Sequence, residues 1–336
     1  MFNKKTILVT GGTGTFGENF IKYILNNFKP RKLIVFSRDE YKQLLMQEKF
    51  VNNPQQNILR FFIGDVRDSD RLNMAFKEVD YIVHAAAMKQ VPTTEKEPLE
   101  CIKTNIGGAE NVIKAALKNN VKKVIALSTD KAVNPVNLYG ATKLASDKLF
   151  VSANFFSGKN GTQFSVVRYG NVAGSRGSVI PYFQELIRKN ILFFPITDKN
   201  MTRFFITIEQ GIDFVMNSIK RMKGGEIFIP KIPSVFITDL ALALRPSSKF
   251  KIIGIRPGEK IHESLFSKED SHLIREFKDH YVLLSPIYHK NSLQNFKNNQ
   301  NQSGNKLKNY FEYNSLENKF FLKGNQIINL ISKIKI

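Results

Sequence analysis

Tyr139 and Lys143 stand four residues apart in Tyr139-Gly140-Ala141-Thr142-Lys143. On a helix that spacing puts both side chains on one face. An ammonium so placed lowers the pKa of the phenol and can also hold a ribose, an arrangement suited to hydride chemistry. Shortly before it, Ser128-Thr129-Asp130-Lys131 adds two hydroxyls, a carboxylate and an amine where an apolar run ends. The combination is stronger than either part, because a lone Tyr and Lys at this spacing occur on many helices.

A second constellation opens the chain. The apolar residues Ile7-Leu8-Val9 run into Thr10-Gly11-Gly12-Thr13-Gly14-Thr15-Phe16-Gly17 and then a helical pattern from Phe20 to Leu25. Gly11, Gly14 and Gly17 have the spacing that brings backbone N–H groups and a helix N-terminus against a pyrophosphate, with Thr13, Thr15 and Phe16 between them. A dinucleotide is therefore expected here. Where an NAD enzyme offers a carboxylate to the adenosine ribose, this chain reads Phe36-Ser37-Arg38-Asp39. Arg38, with the Ser37 hydroxyl and Lys42, suits a 2′-phosphate and hence NADP; Asp39 turned inward would instead select NAD. Asp65 and Val66 fit an adenine contact, and Ala85-Ala86-Ala87 lets backbone approach the cofactor.

These motifs need a frame. Short β-rich runs at residues 5–9, 32–36, 59–63, 81–84, 123–128 and 164–169 alternate with helical patterns, which predicts a Rossmann-like doubly wound α/β sheet. Residues 1–170 are read as the dinucleotide-binding domain with the catalytic residues. Residues 171–286, with a helix at 208–221, are read as a smaller substrate-binding region interleaved with the sheet. The Asn-, Gln- and Lys-rich residues 287–309 read as a mobile loop and residues 316–336 as a terminal helix weakened by Gly324.

Composition narrows the classes. A lone cysteine, Cys101, cannot form an internal disulfide, the start shows no cleavage pattern, and no apolar run approaches the roughly 20 residues that cross a bilayer. A soluble, cytoplasmic protein without a membrane partner is expected. The net charge of +21 comes from lysines scattered along the chain, not gathered in a stripe with aromatics, so nucleic acid is not the expected partner. His84 and His262 show no metal-ligand spacing, and no metal is expected.

The glycine loop, the alanine turn and Tyr139-xxx-Lys143 resemble the extended short-chain dehydrogenases from about Thr6 to Lys260. More narrowly, Phe36-Ser37-Arg38-Asp39-Glu40, Ile63-Gly64-Asp65-Val66-Arg67-Asp68, Leu127-Ser128-Thr129-Asp130-Lys131-Ala132, Val167-Arg168-Tyr169-Gly170-Asn171-Val172 and Ile255-Arg256-Pro257-Gly258-Glu259-Lys260 resemble the inverting UDP-N-acetylglucosamine 4,6-dehydratases of pseudaminic acid biosynthesis. Retaining dehydratases of the dTDP-glucose kind typically carry Asp-Glu where this chain has Asp130-Lys131. A 4-epimerase or reductase would share the loop, Tyr139 and Lys143 without dehydrating C6, and a degenerate sensor or scaffold would lack the catalytic set, which is complete here.

The resemblance implies that Tyr139 takes the O4 proton while hydride leaves C4. It makes Lys131 the C5 base, neutral through desolvation, and Asp130 the acid for the C6 hydroxyl. Reprotonation at C5 from the opposite face then gives a 4-keto-6-deoxy sugar for flagellar or other surface glycans. Thr129 or Ser128 either hydrogen-bonds O4 or merely caps the strand end. Arg176, Arg203 and Arg256 are candidates for the substrate diphosphate. Lys89 is expected on both the cofactor and substrate sides, Leu127 and Val172 on the cofactor side, and Asn171, Gly177, Ser178, Thr197, Met201 and Glu259 on the substrate side. A homo-oligomer is expected.

Overall fold

The structure is a computed structural model that describes residues 1–158, 161–287, 289 and 293–334. Six parallel strands, β1 (Thr6–Thr10), β2 (Lys32–Ser37), β3 (Leu59–Ile63), β4 (Tyr81–His84), β5 (Lys123–Thr129) and β6 (Gln163–Tyr169), lie in the order 3-2-1-4-5-6. This is the doubly wound order, with its reversal between β1 and β4. Both faces of the sheet are covered, so β1 is buried along its whole length and reads as an unbroken apolar run, not an alternating one. Helix α1 (Thr15–Asn27) packs on it through Phe20, Ile21, Ile24 and Leu25; each such burial is worth about 1.5–3 kcal/mol.

The sheet does not stop at residue 170. Glu226–Pro230 adds a parallel strand beside β6, and His280–Leu284, Ile274–Glu276 and Asn305–Lys306 follow antiparallel, making ten strands. A second hydrophobic cluster gathers Ile180, Phe183, Phe194, Phe205, Val235, Leu240 and, from the far end of the chain, Ile327 and Leu330. The helix Ile208–Arg221 has the bounds its pattern predicts, fixed by a Thr207/Gln210 capping box.

Two expectations near the C-terminus need correcting. The last helix spans only Asn325–Ser332 and starts directly after Gly324, whose φ of +47° ends the preceding extended chain. Residues before it pair instead with the 171–286 region, as at Ser234 and Phe321. The Asn-rich stretch is built, where described, around a buried Asn298 whose side chain accepts from the N–H groups of Gln300 and Gln302. It also supplies the edge strand Asn305–Lys306; residues 288 and 290–292 lie outside the described residues. Among the described residues no helix is long and apolar enough to cross a membrane.

Candidate active site

The carboxyl ends of the parallel strands open into a cavity of about 1170 Å³. That exceeds the ~300–1,000 Å³ usual for one small ligand and suits two side by side. Every candidate catalytic, cofactor or substrate residue lines it except Asp130, which lies fully buried behind Thr129 and Lys131.

At one end the glycine loop leaves β1. Gly11 has φ +64°, and a Cβ there would sit 2.9 Å from the backbone of Ala85 and Ala86; a Cβ on Gly17 would sit 2.6 Å from Gly11 O. Only bare backbone fits, so the alanine turn and the helix are drawn close together. Gly14 caps α1 without a side-chain acceptor, leaving the first-turn N–H groups open to an anion. This cradle fits the pyrophosphate of a dinucleotide.

Beyond β2, Asp39 is not turned inward. Its Oδ1 accepts from the Lys42 N–H at 2.9 Å and its Oδ2 pairs with Lys42 Nζ at 2.7 Å, capping the next helix. Those bonds hold its carboxyl below the usual range. Arg38 is exposed, 3.8 Å from Asp65, which also pairs with Arg67. The Ser37 hydroxyl accepts from Gln43 Nε2.

The Tyr139 helix, Leu138–Ser152, is started by Asn137, whose side chain accepts from the Gly140 N–H. Lys143 Nζ donates to Leu127 O at 2.7 Å and is itself pushed down by burial. Burial drives the Tyr139 phenol up to about 12, opposed by Lys131 and by a Thr129 hydrogen bond. Lys131 thus bears on the phenol as well, beside the Lys143 that the sequence places on the same helix face. Ser128 Oγ donates to Asp147, which also pairs with Arg168 at 2.9 Å. Thr129 caps the strand end, accepting from the Lys131 N–H and donating to Asp130.

Lys131 is the main correction. Desolvation alone would lower its pKa, as sequence reasoning expects, but two carboxylates outweigh it. Asp130 Oδ1 lies 3.1 Å and Glu263 Oε1 3.3 Å from its Nζ, and together they hold the ammonium above its ordinary range. Glu263 was not found from the sequence, nor was Tyr169, whose buried ring lines the cavity beside Tyr139. Tyr169 stood in a quoted motif; Glu263 had only its place three residues after Lys260 as a signal.

The far wall carries the arginines. Arg256 is exposed and forks onto Glu259, which also accepts from Thr197. Arg203 is buried, with NH1 and NH2 donating to the carbonyls of Thr202, Ile261 and Lys260. Its guanidinium fixes the loop that carries Glu263. Arg176 pairs with Glu18 of α1 at 3.4 Å, and Lys89 Nζ reaches Arg176 O at 3.2 Å. His84, hydrogen-bonded to Thr10 and depressed by burial to about 3, is a neutral core group, and His262 bonds Thr202.

A doubly wound sheet of this order, with the Tyr–Lys helix beside the glycine loop and a second lobe closing the cleft, is the architecture of extended short-chain dehydrogenases/reductases. Residues 7–285 match the polysaccharide biosynthesis protein family. The chain is 55% identical over 99% of its length, and 98% of the other's, to a UDP-N-acetylglucosamine 4,6-dehydratase (inverting) of Campylobacter jejuni. It is 45% identical to a Rickettsia bellii protein named UDP-glucose 4-epimerase, over 84% of this chain and 83% of that one. The crystal structure of Pen from Bacillus thuringiensis superposes with a TM-score of 0.88 at 37% identity, covering 99% of this chain and 98% of that one. The chain belongs to the polysaccharide biosynthesis protein family and groups within it with the inverting UDP-N-acetylglucosamine 4,6-dehydratases.

Proposed function

We propose that the protein dehydrates UDP-N-acetylglucosamine across C5 and C6 with inversion at C5, using a nicotinamide dinucleotide, NADP, that is regenerated in each cycle. The observation that carries the reading is the Asp130–Lys131–Glu263 cluster beside Tyr139. An epimerase needs only the machinery for oxidising and reducing C4, whereas a part-buried amine between two carboxylates supplies proton transfer at a neighbouring carbon. When bound, the nicotinamide accepts hydride from C4 and returns it to C6. Tyr139 takes the O4 proton, Lys131 handles the C5 proton, and Asp130, hydrogen-bonded to Lys131, orients the amine, the acid for the C6 hydroxyl being a carboxyl of the same cluster. Arg256 binds the diphosphate, with Arg203 holding the loop behind it. The 4-keto-6-deoxy product would enter surface-glycan assembly in the cytoplasm.

Incubation with UDP-N-acetylglucosamine should yield a 4-keto-6-deoxy sugar with inverted C5, read by NMR of early product, and no build-up of reduced cofactor equal to product. A C4 epimer with the C6 hydroxyl intact would support the epimerase reading instead.

The NADP preference rests on Arg38, exposed at the cavity edge with only a long contact to Asp65, and on Asp39 being occupied by Lys42. Arg38→Ala should narrow the preference for NADP over NAD about tenfold or more in calorimetric Kd, a charge-assisted phosphate contact contributing about 1.5–3 kcal/mol. Equal affinities in the unmutated protein would overturn it.

A further inference from the structure

Resting on the reading that Lys131 handles the C5 proton, we infer that Glu263 is its proton partner, taking one ammonium proton and passing it to the departing C6 hydroxyl. The starting point is a contradiction in the site. A base must be neutral to act, yet Lys131 is held as an ammonium by the groups around it. Those groups are Asp130 on the turn after β5 and Glu263 from the opposite wall, with Arg203 from the strand Thr202–Ile206 and Tyr139 from its helix also facing it. Its proton therefore needs an acceptor within the cluster.

Glu263 is placed for that and Asp130 is not. Both are buried carboxylates, but Glu263 lines the cavity while Asp130 is shut behind Thr129 and Lys131. Asp130 Oδ1 is committed to the Thr129 hydroxyl and to Lys131, and its Oδ2, also without a partner, is walled off from the cavity. Glu263 Oε1 lies 3.3 Å from Lys131 Nζ, while its Oε2 accepts no hydrogen bond and has Lys260 Nζ 3.6 Å away. Lys260 in turn donates to Val133 O. The Glu263 backbone is pinned on both sides: its N–H donates to Ser315 Oγ, and its carbonyl accepts the Ser315 N–H. Such anchoring holds a carboxylate at a fixed reach from the amine.

The step balances. A Lys131 proton moves to Glu263, leaving an amine and a carboxylic acid. The amine takes the C5 hydrogen as a proton, the electron pair forms the C5–C6 double bond, and the C6–O bond breaks. Glu263 protonates the leaving oxygen, releasing water, and both residues return to their starting charge. Tyr139 separately holds the O4 proton, so the later protonation of C5 from the other face does not draw on this pair.

Glu263→Gln keeps the shape and removes the proton acceptor. On mixing with NADP+ and UDP-N-acetylglucosamine it should still reduce the nicotinamide, seen in near-ultraviolet absorbance, and then stall. Dehydration should fall about 100-fold or more, and its rate should climb with pH as solvent strips the Lys131 ammonium, whereas the unmutated enzyme is flat there. Glu263→Asp should recover part of the loss, and Lys131→Ala/Glu263→Gln should be no slower than Lys131→Ala. A Glu263→Gln enzyme within about threefold of the unmutated rate with the same pH profile would overturn the role of Glu263 alone. So would Glu263→Asp and Glu263→Gln variants equally slow with no nicotinamide reduction, since a merely structural loss does that. A Lys131→Ala enzyme that keeps its rate would overturn the underlying reading of Lys131.

Discussion

Lys131→Ala is expected to lower turnover of UDP-N-acetylglucosamine by about 100-fold or more, the range over which a positioned proton-transfer group acts, with cofactor affinity unchanged. The lysine faces the cavity between two carboxylates and lies apart from the glycine loop and from Arg38, so the dinucleotide half of the site keeps its contacts. Two readouts make the result specific. In deuterated water the unmutated enzyme should place solvent deuterium at C5 of the product, and the variant should not exchange C5 at all on the same timescale. Removing one partner of a buried ion pair also leaves charge uncompensated, at a cost of about 3–5 kcal/mol. Circular dichroism and thermal melting therefore accompany the kinetics. A folded Lys131→Ala protein with most of its activity would refute the assignment of the C5 proton to this residue.

Tyr139→Phe should remove oxidation at C4 and with it every later step, a loss of about 100- to 10,000-fold in kcat. Because the ring keeps its place in the wall, little stability should change. The phenol is pushed up to about 12 by burial, so in the unliganded protein it carries its proton at neutral pH. Lys131 lowers it more than any other charge does, which couples the two residues. Tyr139→Phe should show neither nicotinamide reduction nor C5 exchange, while Lys131→Ala should keep the first, slowed by loss of the charge that lowers the phenol, and lose the second. Identical behaviour of the two variants in both assays would mean that they do not act at successive carbons.

The parallel half of the fold is legible because its physics is local. The six strands are short, mostly apolar runs, all but β3 largely buried, each separated by a helical period, and the glycine loop declares itself by residues whose Cβ atoms would collide with Ala85 or Gly11. Tyr139 and Lys143 are readable for the same reason, both being set by one helix. The antiparallel edge strands are short and carry no period long enough to see; Asn305–Lys306 hides in a polar stretch that composition alone marks as a loop. Glu263 escaped because its place beside Lys131 is made by Arg203 and Ser315, 60 residues before and 52 after it in the chain. The charge state of Lys131 escaped with it: burial can be guessed for one residue, but the sign of its pKa change depends on a carboxylate that only tertiary structure delivers.

The pinning of Glu263 by Ser315 also bears on the order in which this protein becomes active as it is made. The Rossmann strands and the Tyr139 helix lie within the first half of the chain and have local partners, so they can condense while synthesis continues. The ion pair of Lys131 with Glu263 cannot. It waits for Ser315 to reach back to Glu263 and Thr202, and for Ile327 and Leu330 to close the second hydrophobic cluster. A nascent chain stalled short of residue 315 would hold the dinucleotide cradle but lack the anchored partner of Lys131. If Glu263 acts as inferred, binding competence should precede catalytic competence during synthesis, with the long-range closure around Ser315, Ile327 and Leu330 as the later step.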